Sequence, residues 1–164
     1  MNKLDIQTLY KFNHWANMRI LIAVSKLTTE QFLAGAVFPH RELRSTLTHA
    51  LLAEWIWRTR WQGETPAARF KPEDFPNLDA LRTRWLEEEK KLDTFINSLN
   101  DESVNATFQY KTKDGEIREN VLWHAMIHVV NHGTQHRSEA AAILTELGHS
   151  PGDLDLMLFL NEQT

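Results

Sequence analysis

Along most of this chain, apolar residues recur at every third or fourth position, and that spacing marks out four long helical segments. The first runs from about Leu4 to Leu27, with Leu9, Phe12, Trp15, Ala16, Ile20 and Ala23 at helical intervals. The second spans about Glu42 to Gln62. Leu43, Leu47, Ala50, Leu51, Glu54, Trp55, Arg58 and Trp61 sample its faces, and Gly63 and Pro66 end it. A connection containing Pro66, Pro72 and Pro76 follows. Asn77 offers a cap for a third helix, about Leu78 to Leu99, whose Glu87-Glu88-Glu89-Lys90-Lys91 run reads as a solvated face with paired charges. The period then changes. Val104, Ala106, Phe108 and Tyr110 alternate with polar residues, and Asp114-Gly115 supplies a turn before Glu116-Ile117, which predicts a short β-hairpin. A last helix, about Glu119 to Leu147, closes at Gly148 with Pro151 just beyond, and the tail from Asp153 to Leu160 is apolar enough to pack back on the body. Long helices joined by a long central connection predict an all-α four-helix bundle, one domain over residues 1–164.

Composition narrows the function classes. A net charge of -4, with basic residues interleaved among acids, leaves no electrostatic footprint for a phosphate backbone, so no nucleic acid is expected as partner. The amino-terminal stretch is too often charged for a signal peptide, and no apolar run reaches membrane-spanning length; the expectation is a cytoplasmic chain without a membrane partner. There is no cysteine, so disulfides, thiolate ligands and cysteine nucleophiles are excluded together. Any metal site must be built from His, Asp or Glu. The six tryptophans and eight phenylalanines read as core and interface aromatics.

The chemistry concentrates in the last helix. His124, His128, His132 and His136 recur every fourth residue. A four-residue step returns to within about 40° on an α-helix, so adjacent pairs can aim two imidazoles at one point, a ready chelate for a transition metal. Spacing makes the three adjacent pairs equivalent. Gly133, whose missing side chain leaves space beside the ring, and Arg137, a fixed cation suited to an anionic ligand, favour His132 and His136. A third ligand must come from elsewhere, and His49, among Leu47, Ala50, Leu51 and Leu52 on the second helix, is the best external candidate. His14 and His40 read as surface or helix-end residues, and His149 as a residue that satisfies helix-end carbonyls.

Phe-Asn-His-Trp-Ala-Asn in the first helix, Leu-Thr-His49-Ala-Leu-Leu-Ala-Glu-Trp-Ile-Trp with the following Arg-Trp-Gln-Gly-Glu-Thr-Pro, the Tyr110–Gly115 hairpin, His-Val-Val-Asn-His132-Gly-Thr-Gln-His136-Arg, and the ending Leu-Gly-His-Ser-Pro-Gly-Asp-Leu-Asp span nearly the whole chain. Together they resemble the DinB family of damage-inducible-like bacterial proteins. The resemblance implies an up-down-down-up bundle, commonly a homodimer. It also implies a divalent ion (nickel, zinc, iron or manganese) held by residues matching His49, His132 and His136. Related branches are thiol-dependent transferases and isomerases. Two departures stand out. Ser138-Glu139 occupies a place where Gly-Gln is common, and Pro39-His40-Arg41-Glu42-Leu43-Arg44 replaces a more usual Gly-Ser-type helix start.

Three neutral imidazoles leave a divalent ion its full charge, a strong Lewis acid. With the absence of cysteine and the thiol-dependent branches that the resemblance brings in, the expectation is a metal-dependent enzyme, with transfer involving a small thiol or an anionic substrate as the leading chemistry. The alternative is a non-catalytic metal-binding or stress-response interaction protein with a structural ion. A zinc-protease reading is poor, because Gly133 follows His132 and no carboxylate lies between the histidines; Glu54 or Glu139 would have to serve instead. The sole Glu-x-x-His, Glu146 to His149, is broken by Gly148, which disfavours a di-iron site. Ligation needs unprotonated imidazole, so metal affinity is expected to fall below about pH 6.5.

Overall fold

The computed structural model describes residues 1–34, 42–66 and 69–163. Its helices are α1 (Lys3–Val24), α2 (Thr29–Leu33), α3 (Leu43–Trp61), α4 (Leu78–Ser98), α5 (Asp101–Asn105), α6 (Leu122–Glu146) and α7 (Leu156–Glu162), and its strands β1 (Thr107–Lys111) and β2 (Ile117–Val121). Local chemistry sets the boundaries. Asn2 and Asp5 exchange side-chain and backbone hydrogen bonds in a capping box at the start of α1. The Asn77 side chain accepts from Ala80 N at 3.0 Å to open α4, as the sequence predicts. Gly148, at φ +79°, turns the chain out of α6 while the His149 N–H reaches back to the Leu144 carbonyl at 2.8 Å.

Cross-helix contacts give the directions of the four long helices. Tyr10 meets Met126 while Asn13 and Asn17 meet Arg137, so α1 and α6 run parallel. Glu54 reaches Trp85 while Arg58 reaches Glu88, so α3 and α4 also run parallel. Glu54 with Asn13 and Asn17, set beside Tyr10 against Trp61, makes α1 and α3 antiparallel. The order is up-down-down-up. The long connection between α3 and α4, with a 3-10 turn at Pro72–Asp74, is what lets those two point the same way.

The hairpin forms as predicted but later in the chain, with its first strand starting at Thr107 rather than Val104 and its second running on to Val121. Val104 belongs to α5, β1 pairs with β2 from Thr107↔Val121 to Lys111↔Ile117, and Glu119 to Val121 are strand rather than the first turn of the last helix. Short α2 and α5 lack the length for a periodic signal; each is nucleated by its own capping box, at Thr28/Gln31 and Asn100/Ser103. The tail folds back as α7 and buries Phe159 against Phe12 and Trp15.

Two apolar clusters fill the bundle. One gathers Ile6, Tyr10, Leu92, Met126 and Phe159; the other gathers Ile20, Leu47, Leu51, Leu81, Trp85 and Leu144. Between them lies a buried polar layer of Asn13, Asn17, Glu54, Arg58, Glu88, Glu89 and Arg137. The Glu87–Lys91 run is therefore not wholly solvated. Glu88 is 0% exposed and Glu89 8%, because α4 turns that face toward α1 and α3. Among the described residues, no helix is long and apolar enough to cross a membrane.

Candidate metal centre

Antiparallel α3 and α6 pack side by side, which sets His49 against the late end of the histidine stripe. The His49 ring centroid lies 5.1 Å from that of His132 and 4.7 Å from that of His136. One ligand atom from each of the three falls within 4.8 Å of the others, with His49 exposed, His132 half-buried and His136 buried. The Nε2 atoms of His132 and His136 stand 3.2 Å apart. At an ordinary metal–nitrogen distance of about 2.0–2.1 Å, two ligands on one ion are about 2.9 Å apart at a right angle and about 3.3 Å at the tetrahedral angle. The observed spacing lies inside that interval, so these residues fit a divalent ion.

The other nitrogen of His136 is already engaged. Its Nδ1 meets Glu139 Oε2 at 2.8 Å, one helical turn on. A carboxylate there accepts Nδ1–H, fixes the tautomer and leaves the Nε2 lone pair facing His132 and His49. Glu139 thus reaches an imidazole of the triad. The residue at the departure from the usual Gly-Gln orients a candidate ligand.

Behind the triad lies the polar layer. Glu54 Oε1 accepts from Asn13 Nδ2 at 2.7 Å and Asn17 Nδ2 at 3.1 Å, and Glu54 Oε2 accepts from Trp85 Nε1 at 3.1 Å. The two amide oxygens in turn accept from Arg137 Nη1, at 2.6 and 2.8 Å. Two asparagines therefore relay a buried anion to a buried cation. Burial lowers the Arg137 guanidinium to about 10, partly opposed by the Glu54 charge. On the α4 side, burial first and the Glu54 charge second push the Glu89 carboxyl up to about 8, with the Asn17 side chain pulling the other way. Arg58 pairs with Glu88, which also takes Arg84 Nη1 at 3.3 Å.

These placements correct three readings of the sequence. Arg137, 2% exposed, ties α6 to α1 and is not an anion clamp. The space beside Gly133 is not open: a Cβ there would stand 2.8 Å from Arg137 Nη1 and 3.0 Å from Asn13 Oδ1. Glu54, with both oxygens taken by three donors, is unsuited to act as a base. The rest of the stripe diverges from the triad. His128 packs edge-on to Trp57 at 5.4 Å, and His124 lies against Trp123 at 4.0 Å. His14 is half-buried, its Nδ1 3.5 Å from Asp93. His149 serves the helix end through its backbone. His40 and Pro39–Arg41 of the unusual helix start lie outside the described residues. The polar layer went unread, although Asn13/Asn17 and Glu54/Arg58, each four apart within apolar stripes, carry its signal.

Comparison with known proteins agrees with this architecture. The solved structure of a conserved protein from Enterococcus faecalis is similar, with TM-score 0.62 at 8% identity over 84% of this chain and 94% of that one. In sequence, the chain is 26% identical to Protein DinB of Bacillus subtilis (strain 168), over 94% of each. The DinB family model matches residues 1–164, and the chain belongs to the DinB family.

Proposed function

We propose that this protein is an enzyme dependent on one divalent transition-metal ion, held by His49, His132 and His136, and that its chemistry is transfer involving a small thiol. The observation that carries the reading is the convergence of three imidazoles from two helices, one of them with its tautomer set by Glu139. His132 and His136 would supply nitrogen donors from one helix, and His49 is the exposed member of the three. When bound, the ion supplies Lewis acidity and lowers the acidity constant of a coordinated water or thiol. The chain has no cysteine, so the sulfur must come from a co-substrate. That thiol would lose its proton to solvent, its sulfur would form the new bond to the electrophile's carbon, and the bond from that carbon to the leaving group would break, the leaving group taking the electron pair.

Metal content of protein purified without an affinity tag tests the first half. The wild type is expected to carry close to one equivalent, and His132→Ala little; equal content in both would refute the assignment. Turnover of a panel of electrophiles with small thiols tests the second half, and no rate above the metal-free protein would refute it.

A structural ion is the second reading, favoured by the position of the triad as a direct cross-link between α3 and α6. Chelation separates the two. A structural ion stabilises the fold outright, so its removal lowers Tm steeply, whereas loss of a catalytic ion abolishes rate with a smaller change in melting.

A further inference from the structure

Beyond the triad, the same two helices carry a continuous strip of rings toward the hairpin. On α3, His49, Ala53, Trp57 and Arg60 are spaced 4, 4 and 3 residues apart and share one face. On α6, His136, His132 and His128 do the same in the opposite direction along the chain. Centroid separations along the strip are 4.4 Å from His136 to His132, 5.8 Å to His128, 5.4 Å on to Trp57 and 5.1 Å to Tyr110 of β1. At 1.5 Å per residue, Trp57 lies about 12 Å and Arg60 about 16 Å along α3 from His49. Ala53 puts no bulk between them.

The far end is cationic. The Arg60 guanidinium stands over Trp57 at 4.9 Å and over Tyr110 at 4.8 Å. Among the described residues it donates only to the Lys111 carbonyl, at a long 3.4 Å, and its Nε has no acceptor. Burial lowers the Arg60 guanidinium most, the Tyr110 hydroxyl opposes that shift, and the nearby Arg69 charge adds a smaller lowering. Such a cation, on aromatic faces but short of acceptors, suits an incoming anionic group. His128 is exposed, and Trp57 and Tyr110 are half-exposed, so the rings between the two ends are accessible to a flat molecule.

We propose that this strip is a binding track for an elongated, flat organic anion, its body against Trp57 and His128 and its charged group against Arg60 and Arg69. It deepens the proposed function by defining the far end of the substrate, and only the near end rests on that reading.

The test uses the whole metal-free protein and two fluorescent probes, 8-anilinonaphthalene-1-sulfonate and the uncharged N-phenyl-1-naphthylamine, with Kd from titration. Arg60→Gln is expected to weaken the sulfonate about tenfold, the loss of one charge-assisted contact. It leaves the neutral probe unchanged, while Arg60→Lys restores most of the sulfonate affinity. Trp57→Leu weakens both probes. Arg69→Gln, an exposed change that leaves the packing intact, weakens the sulfonate alone, and added salt does the same. Sulfonate binding indifferent to Arg60 and Arg69, or an equal loss of both probes in Arg60→Gln, would overturn the track. Zinc titration keeps the two readings apart: Arg60→Gln should bind zinc as the wild type does while its sulfonate Kd weakens, and a wild type that binds no zinc but still shows the Arg60-dependent sulfonate Kd would refute the metal reading alone.

Discussion

Gly133→Ala sets two opposed effects against each other, and the structure decides the sign. In the interior of an α-helix, alanine is favoured over glycine by about 1 kcal/mol, so propensity alone predicts stabilisation. The new Cβ would lie 2.8 Å from Arg137 Nη1 and 3.0 Å from Asn13 Oδ1. The end of an exposed arginine would swing aside at almost no cost. Arg137 is 2% exposed, and Nη1 is held by Asn13 Oδ1 at 2.6 Å and Asn17 Oδ1 at 2.8 Å. Both amides are pinned at their other ends by Glu54. Relief of the clash therefore breaks at least one charge-assisted bond, worth about 1.5–3 kcal/mol, and overpacking adds about 1–3 kcal/mol. Less the propensity gain, the net loss is about 1.5–5 kcal/mol, and at roughly 2–4 °C per kcal/mol for a chain of this size Tm falls by about 3–20 °C. Thermal melts followed by circular dichroism measure it. In an Arg137→Met background the guanidinium contact is gone and Asn13 is freed from it to give by a few tenths of an ångström, so the same substitution should cost clearly less, a coupling that a double-mutant cycle reads directly. A higher Tm for Gly133→Ala alone, or the same loss in both backgrounds, would refute the reasoning.

Three further outcomes follow from the same layer and its neighbour. Glu139→Ala removes the acceptor on His136 Nδ1 and should weaken metal affinity about 10- to 100-fold in competition with a chromogenic chelator, with unchanged affinity counting against an orienting role. The Glu89 carboxyl, raised to about 8 in the fold from an ordinary 4.5, keeps its proton while the unfolded chain ionises. Its contribution is thus present below about pH 4.5 and is lost as pH rises toward 8, so Glu89→Gln should flatten the fall in stability across that window in urea titrations. Parallel pH profiles would show that Glu89 is not the group responsible. Glu88→Leu leaves the Arg58 guanidinium without its buried carboxylate and should cost about 3–5 kcal/mol, while the double change with Arg58→Met recovers part of that loss.

What the sequence disclosed and what it withheld divide along a physical line. Long helices bury continuous apolar stripes, so α1, α3, α4 and α6 were legible from periodicity alone, and the Asp114-Gly115 turn located the hairpin. Helices of five residues are shorter than two turns, and α2 and α5 passed as connections for that reason. Spacing on one helix could pair histidines but not choose among pairs. The choice depends on where His49 lands, which the antiparallel packing of α3 on α6 determines.

The polar layer was hidden for a different reason. A charge run reads as solvated because ionised groups are rarely buried, yet Glu88 is buried with Arg58, and Glu54 is buried with three neutral donors. Only the juxtaposition of four helices satisfies those groups, and no single helix contains the partners. The layer and the candidate metal centre share α6 and touch through consecutive residues: His136 turns toward His49, Arg137 toward Asn13 and Asn17, and Gly133 makes room for the guanidinium. That arrangement gives the layer a role in holding the triad. A buried ionic network fixes the rotation of a helix more narrowly than aliphatic packing does, because a few degrees of roll would break its bonds. Rotation of α6 is what aims His132 and His136 at α3.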